Sequence, residues 1–232
     1  MEFTKSLIKG KLVKRYKRFF ADIKLNEETI IAHCPNTGSM MGLLDEGNEV
    51  FVSKNDDPKR KLKYTLEIIK VKKNLVGVNT HFANKIAFHG LSNNLVKEVK
   101  NSNNIKPEVF FDKETRFDFL VETNNQKTFV EVKNVTLSRK DKLAEFPDAV
   151  TSRGSKHLKT LIEATKKGYK TYLLFLVQIQ GVTDFKIAKD IDKEYYENYK
   201  LAKKAGVKFL AYRCKISSKE IKIEKKIKII ND

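Results

Sequence analysis

Hydrophobic and polar residues alternate with a period of two along Phe117-Asp118-Phe119-Leu120-Val121-Glu122 and again along Phe129-Val130-Glu131-Val132-Lys133. That alternation predicts two strands. Thr123-Asn124-Asn125-Gln126 lies between them, and asparagine tolerates the positive φ of primed turns, so the pair is expected to close as a hairpin. Upstream, short alternating runs around Leu7–Val13, Phe19–Leu25, Thr29–His33, Glu49–Ser53 and Lys63–Val71 are separated by Gly38, Gly42, Gly47 and Asp57-Pro58. Such a run of short strands fits a small barrel such as an OB-fold. After Asn79-Thr80 the pattern changes. Asn84–Val99 reads as helical or mixed, and Gly154–Lys167 carries Leu158, Leu161 and Ile162 at helical spacing with Gly168 as its stop. Thr171–Gln180 is a continuous apolar strand of the kind buried on both faces. Asp192 is placed to cap a helix that runs through Ala205 to Gly206, Val207–Arg213 reads as a strand, and Glu220–Ile230 as an amphipathic edge strand. The order ββαβαβ predicts a mixed sheet flanked by helices, hence a two-domain α+β chain divided into 1–82 and 83–232.

At 232 residues each half can hold its own core. A formal net charge of +18 and a pI near 9.7 favour a polyanionic partner. Most of that charge is lysine, and the abundance of Lys, Ile and Asn is also what an A+T-rich genome produces without selection for binding. Cys34 and Cys214 are too few for a disulfide framework, Met1–Phe20 is broken by charges and lacks a signal-peptide core, and the apolar run Tyr172–Val177 is too short to span a bilayer. A cytoplasmic protein is expected.

If Asn124-Asn125 form a two-residue turn, Asp118 stands opposite Glu131, and Lys133 shares a face with Glu131. Opposed carboxylates with Cβ atoms ~5 Å apart repel. A divalent cation would turn that cost into a site, and oxygen ligands favour Mg²⁺ or Mn²⁺ over zinc. Lys133 beside it could hold a water or offset charge at a phosphate. This is the logic of a metal-dependent phosphodiesterase. A surface hairpin with solvated charges fits the same spacing, and a three-residue loop would slip the register.

Lys14-Arg15-Tyr16-Lys17-Arg18-Phe19-Phe20 interleaves bases and rings, as single-strand binding surfaces do, and on one strand Tyr16, Arg18 and Phe20 would share a face. The alternative is that Phe19 or Phe20 faces the barrel core. His33-Cys34 point to opposite faces and lack the further ligands zinc needs, so a buried structural pair is expected, with Met40-Met41 as core packing. Arg153, Lys156 and His157 open a helix whose N-terminus suits phosphate, or are an ordinary solvated first turn. Asp148 can brace a turn. Gln178 on the apolar strand needs partners, and the carboxylate cleft is one place for them.

Several segments resemble the SfsA (sugar fermentation stimulation) family along nearly the whole chain. They are Lys14–Asp22, Ala32–Met40, Arg60–Glu67, Val76–Thr80, Val130–Leu137, Phe146–Thr151 and Arg153–Leu158. The resemblance implies an N-terminal OB-like, nucleic-acid-binding barrel over 1–82 and a PD-(D/E)xK restriction-endonuclease-like α/β domain over 83–232. It also implies DNA binding without sequence preference and a link to regulation of sugar (maltose) metabolism. Its nuclease-like motif falls on Asp118, Glu131 and Lys133, with the Val132 carbonyl as an extra ligand. Where the family carries a helical Glu, this chain has Asn84-Lys85-Ile86-Ala87-Phe88-His89, with Glu98 as a substitute. Three readings stay open: a DNA-binding protein that uses its nuclease-like domain for binding, a Mg²⁺-dependent nuclease, and a scaffold with no nucleic-acid role.

Overall fold

Strands β1 (Ile8–Tyr16), β2 (Phe20–Leu25), β3 (Glu28–His33), β4 (Glu49–Lys54) and β5 (Tyr64–Val71) pair antiparallel in the order β3-β2-β1-β4-β5, and a parallel pairing of β3 with β5 closes the barrel. The structure is a computed structural model that describes residues 1–100, 102–123 and 126–230. Period-two burial explains the barrel: Val50 and Val52 of β4, and Ala21 and Ile23 of β2, are buried while their neighbours face outward. β6 (Asn74–Gly77), too short to be predicted, extends the sheet beside β5. A 3-10 turn at Thr80–Phe82 then leads into α1 (Ala83–Ser92), shorter than the stretch to Val99 expected from sequence.

The second half is built from β7 (Asn104–Phe110), β8 (Arg116–Thr123), β9 (Gln126–Val135), β10 (Leu137–Lys140), β11 (Leu143–Phe146), α2 (Ser152–Lys166), β12 (Lys170–Val177), β13 (Asp184–Ile187), α3 (Lys193–Ala205), β14 (Lys208–Ile216), β15 (Ile221–Lys226) and β16 (Lys228–Ile229). A six-stranded mixed sheet has the order β15-β14-β12-β9-β8-β7, with β9, β12 and β14 parallel and the outer strands antiparallel. A separate sheet, β10-β11-β13-β16, was not anticipated, so the order ββαβαβ is incomplete. Its strands run from two to four residues, too short to show a period. β7 was missed because Pro107 lies inside it, which is compatible with its place at the sheet edge. β15 is the expected edge strand at the other side.

All but the first residue of β12 are buried, as its uninterrupted apolar run predicts. α1 packs Ile86, Ala87 and Leu91 on one face of the sheet with Phe119, Val130, Val132 and Leu174. On the other face α2 and α3 bring Leu158, Leu161, Tyr195 and Ala202 against Phe129, Leu173 and Phe175. That cluster is continuous with Leu12, Ile23 and Val50 of the barrel, so the two halves share one apolar core. The helix ends follow their capping residues. The Thr151 side chain accepts from Gly154 N–H, Asp192 accepts from Tyr195 N–H, and Gly206 closes α3 at φ 101°. Among the described residues no helix is long and apolar enough to cross a membrane.

Candidate active site

The ladder between β8 and β9 pairs Phe119 with Val130 and Thr123 with Gln126, so two residues separate the strands and Asp118 falls across from Glu131. The expected turn residues Asn124-Asn125 lie outside the described residues. β7 continues the row: Pro107 pairs with Phe119 and Val109 with Phe117, which sets Glu108 across from Asp118 on the other side. Three carboxylates thus stand side by side across three strands, and their surroundings divide them.

Asp118 is half-buried. Its Oδ2 accepts the Val132 N–H at 2.7 Å and its Oδ1 accepts Asn84 Nδ2 at 2.8 Å. Burial, then the charge of Glu131, pushes its pKa up to about 6, against the lowering pull of those hydrogen bonds and Lys133. Glu131 is only 2% exposed. Its Oε1 takes Lys133 Nζ at 2.7 Å and His157 Nδ1, while its Oε2 is buried with no partner among the described residues. Burial opposes ionisation of Glu131, but Lys133 and His157 together outweigh it and hold the carboxyl below its ordinary value. Arg153 Nε donates to His157 Nε2 at 3.4 Å, which puts the proton of a neutral ring on Nδ1, facing Glu131. Glu108 is tied to Arg116 at 2.8 Å and to Asn84 at 3.3 Å.

Asp118 and His157 line an open cleft of about 700 Å³ together with Asn84, Glu108, Arg116 and Arg153. Lys156 and Phe110 stand at its mouth, Lys156 paired with Glu114 at 2.9 Å and Phe110 67% exposed under the Arg116 guanidinium. Arg153 has no ion-pair partner among the described residues and faces the cleft with its charge uncompensated. Asp118 meets the Val132 N–H, and because the N–H and C=O of one strand residue point to the same side, the Val132 carbonyl lies on the β8 side of β9 too, although Val132, like Glu131 and Lys133, is not among the residues that line the cleft.

Asn84 and Glu108 were not predicted here, and His157, expected only as part of the first turn of a helix, covers a carboxylate. Only the i, i+4 spacing of Arg153 and His157 was visible beforehand. Glu98 does not replace a helical acid: it receives the Tyr212 hydroxyl at 2.7 Å and pairs with Lys226 at 2.6 Å, and it does not line the cleft. His89 is exposed in the last turn of α1. Gln178 bonds Asn134 Oδ1 at 2.6 Å and packs over Gly77, on the sheet face opposite Glu131, so it does not belong to the cleft either.

The basic segment at the start of the barrel is not one strand. β1 ends at Tyr16, Lys17 and Arg18 turn with φ of 47° and 63°, and β2 begins at Phe20. Tyr16 and Phe20 still share a face, as cross-strand partners whose rings stack at 5.5 Å. Lys17, Arg18 and Phe19 are exposed at the tip, and Lys14 reaches Asp22 at 3.7 Å. Arg15 points elsewhere. Its guanidinium donates to the carbonyls of Arg18, Asn36 and Gly38 at 2.7–3.2 Å and clamps the 35–39 loop. That loop in turn meets Asp148, which accepts the Met40 N–H at 3.3 Å and the Ser39 hydroxyl through its backbone oxygen at 2.8 Å. A Cβ on Gly38 would come within 2.4 Å of the Asp148 carboxylate, so a side chain there would have to displace it. Of the buried pair expected, Cys34 is buried beside Met40 but His33 is only half-buried, and Met41 is 46% exposed and not core.

Known proteins resemble this chain over its whole length. A family model described as the SfsA N-terminal OB domain matches residues 13–78, and one described as the sugar fermentation stimulation protein RE domain matches residues 81–220. The sugar fermentation stimulation protein homolog of Pelagibacter ubique is 84% identical over 231 residues, covering 100% of both chains. That of Pseudoalteromonas atlantica is 43% identical over 99% of this chain and 100% of its own. A solved structure, Pyrococcus furiosus SfsA in complex with Ca²⁺, aligns with a TM-score of 0.89 at 25% identity, covering 100% of this chain and 98% of the other.

Proposed function

The chain belongs to the sugar fermentation stimulation (SfsA) family, and from that premise we propose that it binds DNA with little sequence preference. The observation that carries this reading is the placement of uncompensated cations: Lys17 and Arg18 beside an exposed Phe19 at the barrel tip, and Arg153 at the mouth of the carboxylate cleft. Cations track phosphates while a ring stacks on bases, and neither contact reads sequence. The experiment is binding of single-stranded and duplex oligonucleotides over a salt series. A log–log fall of affinity with salt supports phosphate contacts, and salt-independent or absent binding rejects the reading. Any influence on sugar (maltose) metabolism would then act through general DNA binding, since no helix-turn-helix supplies a base reader in the sequence.

A second reading, hydrolysis of phosphodiester bonds, is favoured by the partnerless buried Oε2 of Glu131 beside Asp118. An isolated carboxylate oxygen and a neighbour whose ionisation it resists are what a hard divalent cation relieves. The donors fit Mg²⁺, Mn²⁺ or Ca²⁺: Asp118, Glu131 Oε2 and the Val132 carbonyl are all oxygen. Among the described residues no cluster of three or more His, Cys, Asp or Glu side chains could hold a metal ion, so the reading rests on two carboxylates and a backbone oxygen, with water and phosphate left to fill the remaining positions. Bound there, the cation would supply Lewis-acid charge at phosphate and lower the pKa of a coordinated water. Lys133 and His157 hold Glu131 ionised, Arg153 orients the incoming phosphate, and the Lys133 ammonium offsets charge that develops on it. Cleavage of single-stranded, duplex or branched DNA with Mg²⁺ or Mn²⁺, lost in Asp118→Asn and Lys133→Ala while binding survives, tests this reading. No nicking of any substrate with either metal rejects it.

A further inference from the structure

A second cleft, about 670 Å³, opens beside the first turn of α1. Asn84 faces Asp118, and the next residue, Lys85, lines this other cavity. Its size is within the range of small-molecule sites. Arg60, His33, His81 and Lys85 line it, brought together from β3, the 55–63 loop, the 3-10 turn and α1. None of the four has a carboxylate partner within ion-pair distance among the described residues, whereas Lys5 and Lys54 at the rim share Asp56.

Two acidic residues line the cleft as well, Glu2 and, on its floor, Glu67, neither within ion-pair distance of these four among the described residues. Glu67 is 2% exposed and fully engaged, taking the Ser53 hydroxyl at 2.6 Å and Asn79 Nδ2 at 2.7 Å. Burial, in spite of those bonds, raises its pKa. His33 is held below the ordinary imidazole value first by burial and then by the charges of His81 and Arg60, which share the cavity with it. An apolar wall completes it: Phe3 and Phe82 meet edge to face at 6.1 Å, with Lys85 Nζ 5.6 Å from the Phe82 ring. Cations above an aromatic wall and a polar floor are what a nucleoside phosphate requires.

We propose that this second cleft binds a nucleoside phosphate, with Arg60, His81 and Lys85 on the phosphate and Phe3 and Phe82 against the base. The ligand is a free nucleotide or the 5′-phosphorylated end of a single strand, and the same titration separates the two. Calorimetry with dAMP, deoxyadenosine, inorganic phosphate and an oligothymidylate carrying either a 5′-phosphate or a 5′-hydroxyl is the test. dAMP is expected to bind more tightly than deoxyadenosine or phosphate alone if the free nucleotide is the occupant. Preference for the 5′-phosphorylated oligonucleotide, with dAMP weak, identifies a strand end. In either case Arg60→Gln and Lys85→Gln, both at exposed positions, weaken binding by about tenfold each through loss of a charge-assisted contact. Asp118→Asn reports on the first cleft alone and leaves this binding in place, so failure here is distinct from failure of the DNA and hydrolysis readings. No binding of any probe, or binding indifferent to Arg60→Gln and Lys85→Gln, overturns the proposal.

Discussion

Asp118 and Glu131 oppose each other on β8 and β9, yet titrate in opposite directions. Asp118 is pushed up to about 6 by burial and by Glu131, whereas Glu131 is held down by Lys133 and His157 against its own burial. One proton added to this pair therefore goes to Asp118. The inner carboxylate stays charged beneath His157, and the outer one faces the cleft.

Stability should follow that asymmetry. The folded pKa of Asp118 is above its unfolded value of 3.8, so its favourable contribution is complete below about pH 4 and is lost as pH rises through about 6. Asp118→Asn should stabilise the protein at pH 7, by at most ~3 kcal/mol for a shift of about two units and less where solvent screens the half-buried group. The asparagine keeps an acceptor for Val132 N–H and, with the Asn84 amide turned over, a partner there too. Urea unfolding at pH 4 and pH 7 checks this: an equal difference at both values contradicts it.

Divalent cations should supply the missing charge. Mn²⁺ or Ca²⁺ at a hundredfold excess over Kd is expected to add ~2.7 kcal/mol of stability. Thermal melts of wild type and Asp118→Asn with and without cation read it, and an equal shift in both variants would place the cation elsewhere.

His157 secures Glu131 from α2. Its replacement by alanine removes a buried donor and the cover over the carboxylate, at a cost of about 2–4 kcal/mol. His157→Gln, which retains a donor, should recover part of that. Chemical denaturation of both variants decides it, and equal losses would mean that packing rather than the hydrogen bond matters.

Neighbouring arginines on the barrel hairpin should separate cleanly. Arg15 satisfies three carbonyls, so Arg15→Gln should lower stability by about 1–3 kcal/mol. Arg18→Gln at the exposed tip should leave stability within ~0.5 kcal/mol but reduce the salt slope of DNA binding by about one. Melting and salt titrations on the same two proteins measure both effects.

Much of this was legible because it is local. Alternation of Phe and Val set the parity of Asp118, Glu131 and Lys133, and the two-residue gap fixed their register. Asp192 and Gly206 marked the ends of α3 in advance. Less local features escaped. Lys14–Phe20 looked like one alternating strand because positive φ at Lys17 and Arg18 leaves no trace in a pattern of bases and rings. β7 was hidden by Pro107, and the small sheet by strands shorter than any detectable period.

By itself the sequence determined which side chains share a strand face and where strands turn, since those depend on backbone periods of two and on residues a few positions apart. Only the tertiary structure decided that His157 covers Glu131, that Asn84 and Glu108 join Asp118, and that Arg15 points inward at the 35–39 loop. Those contacts join segments 21 to 34 residues apart, and it is the docking of α1 and α2 on opposite faces of one sheet that determines which charges end up buried and which are left facing water.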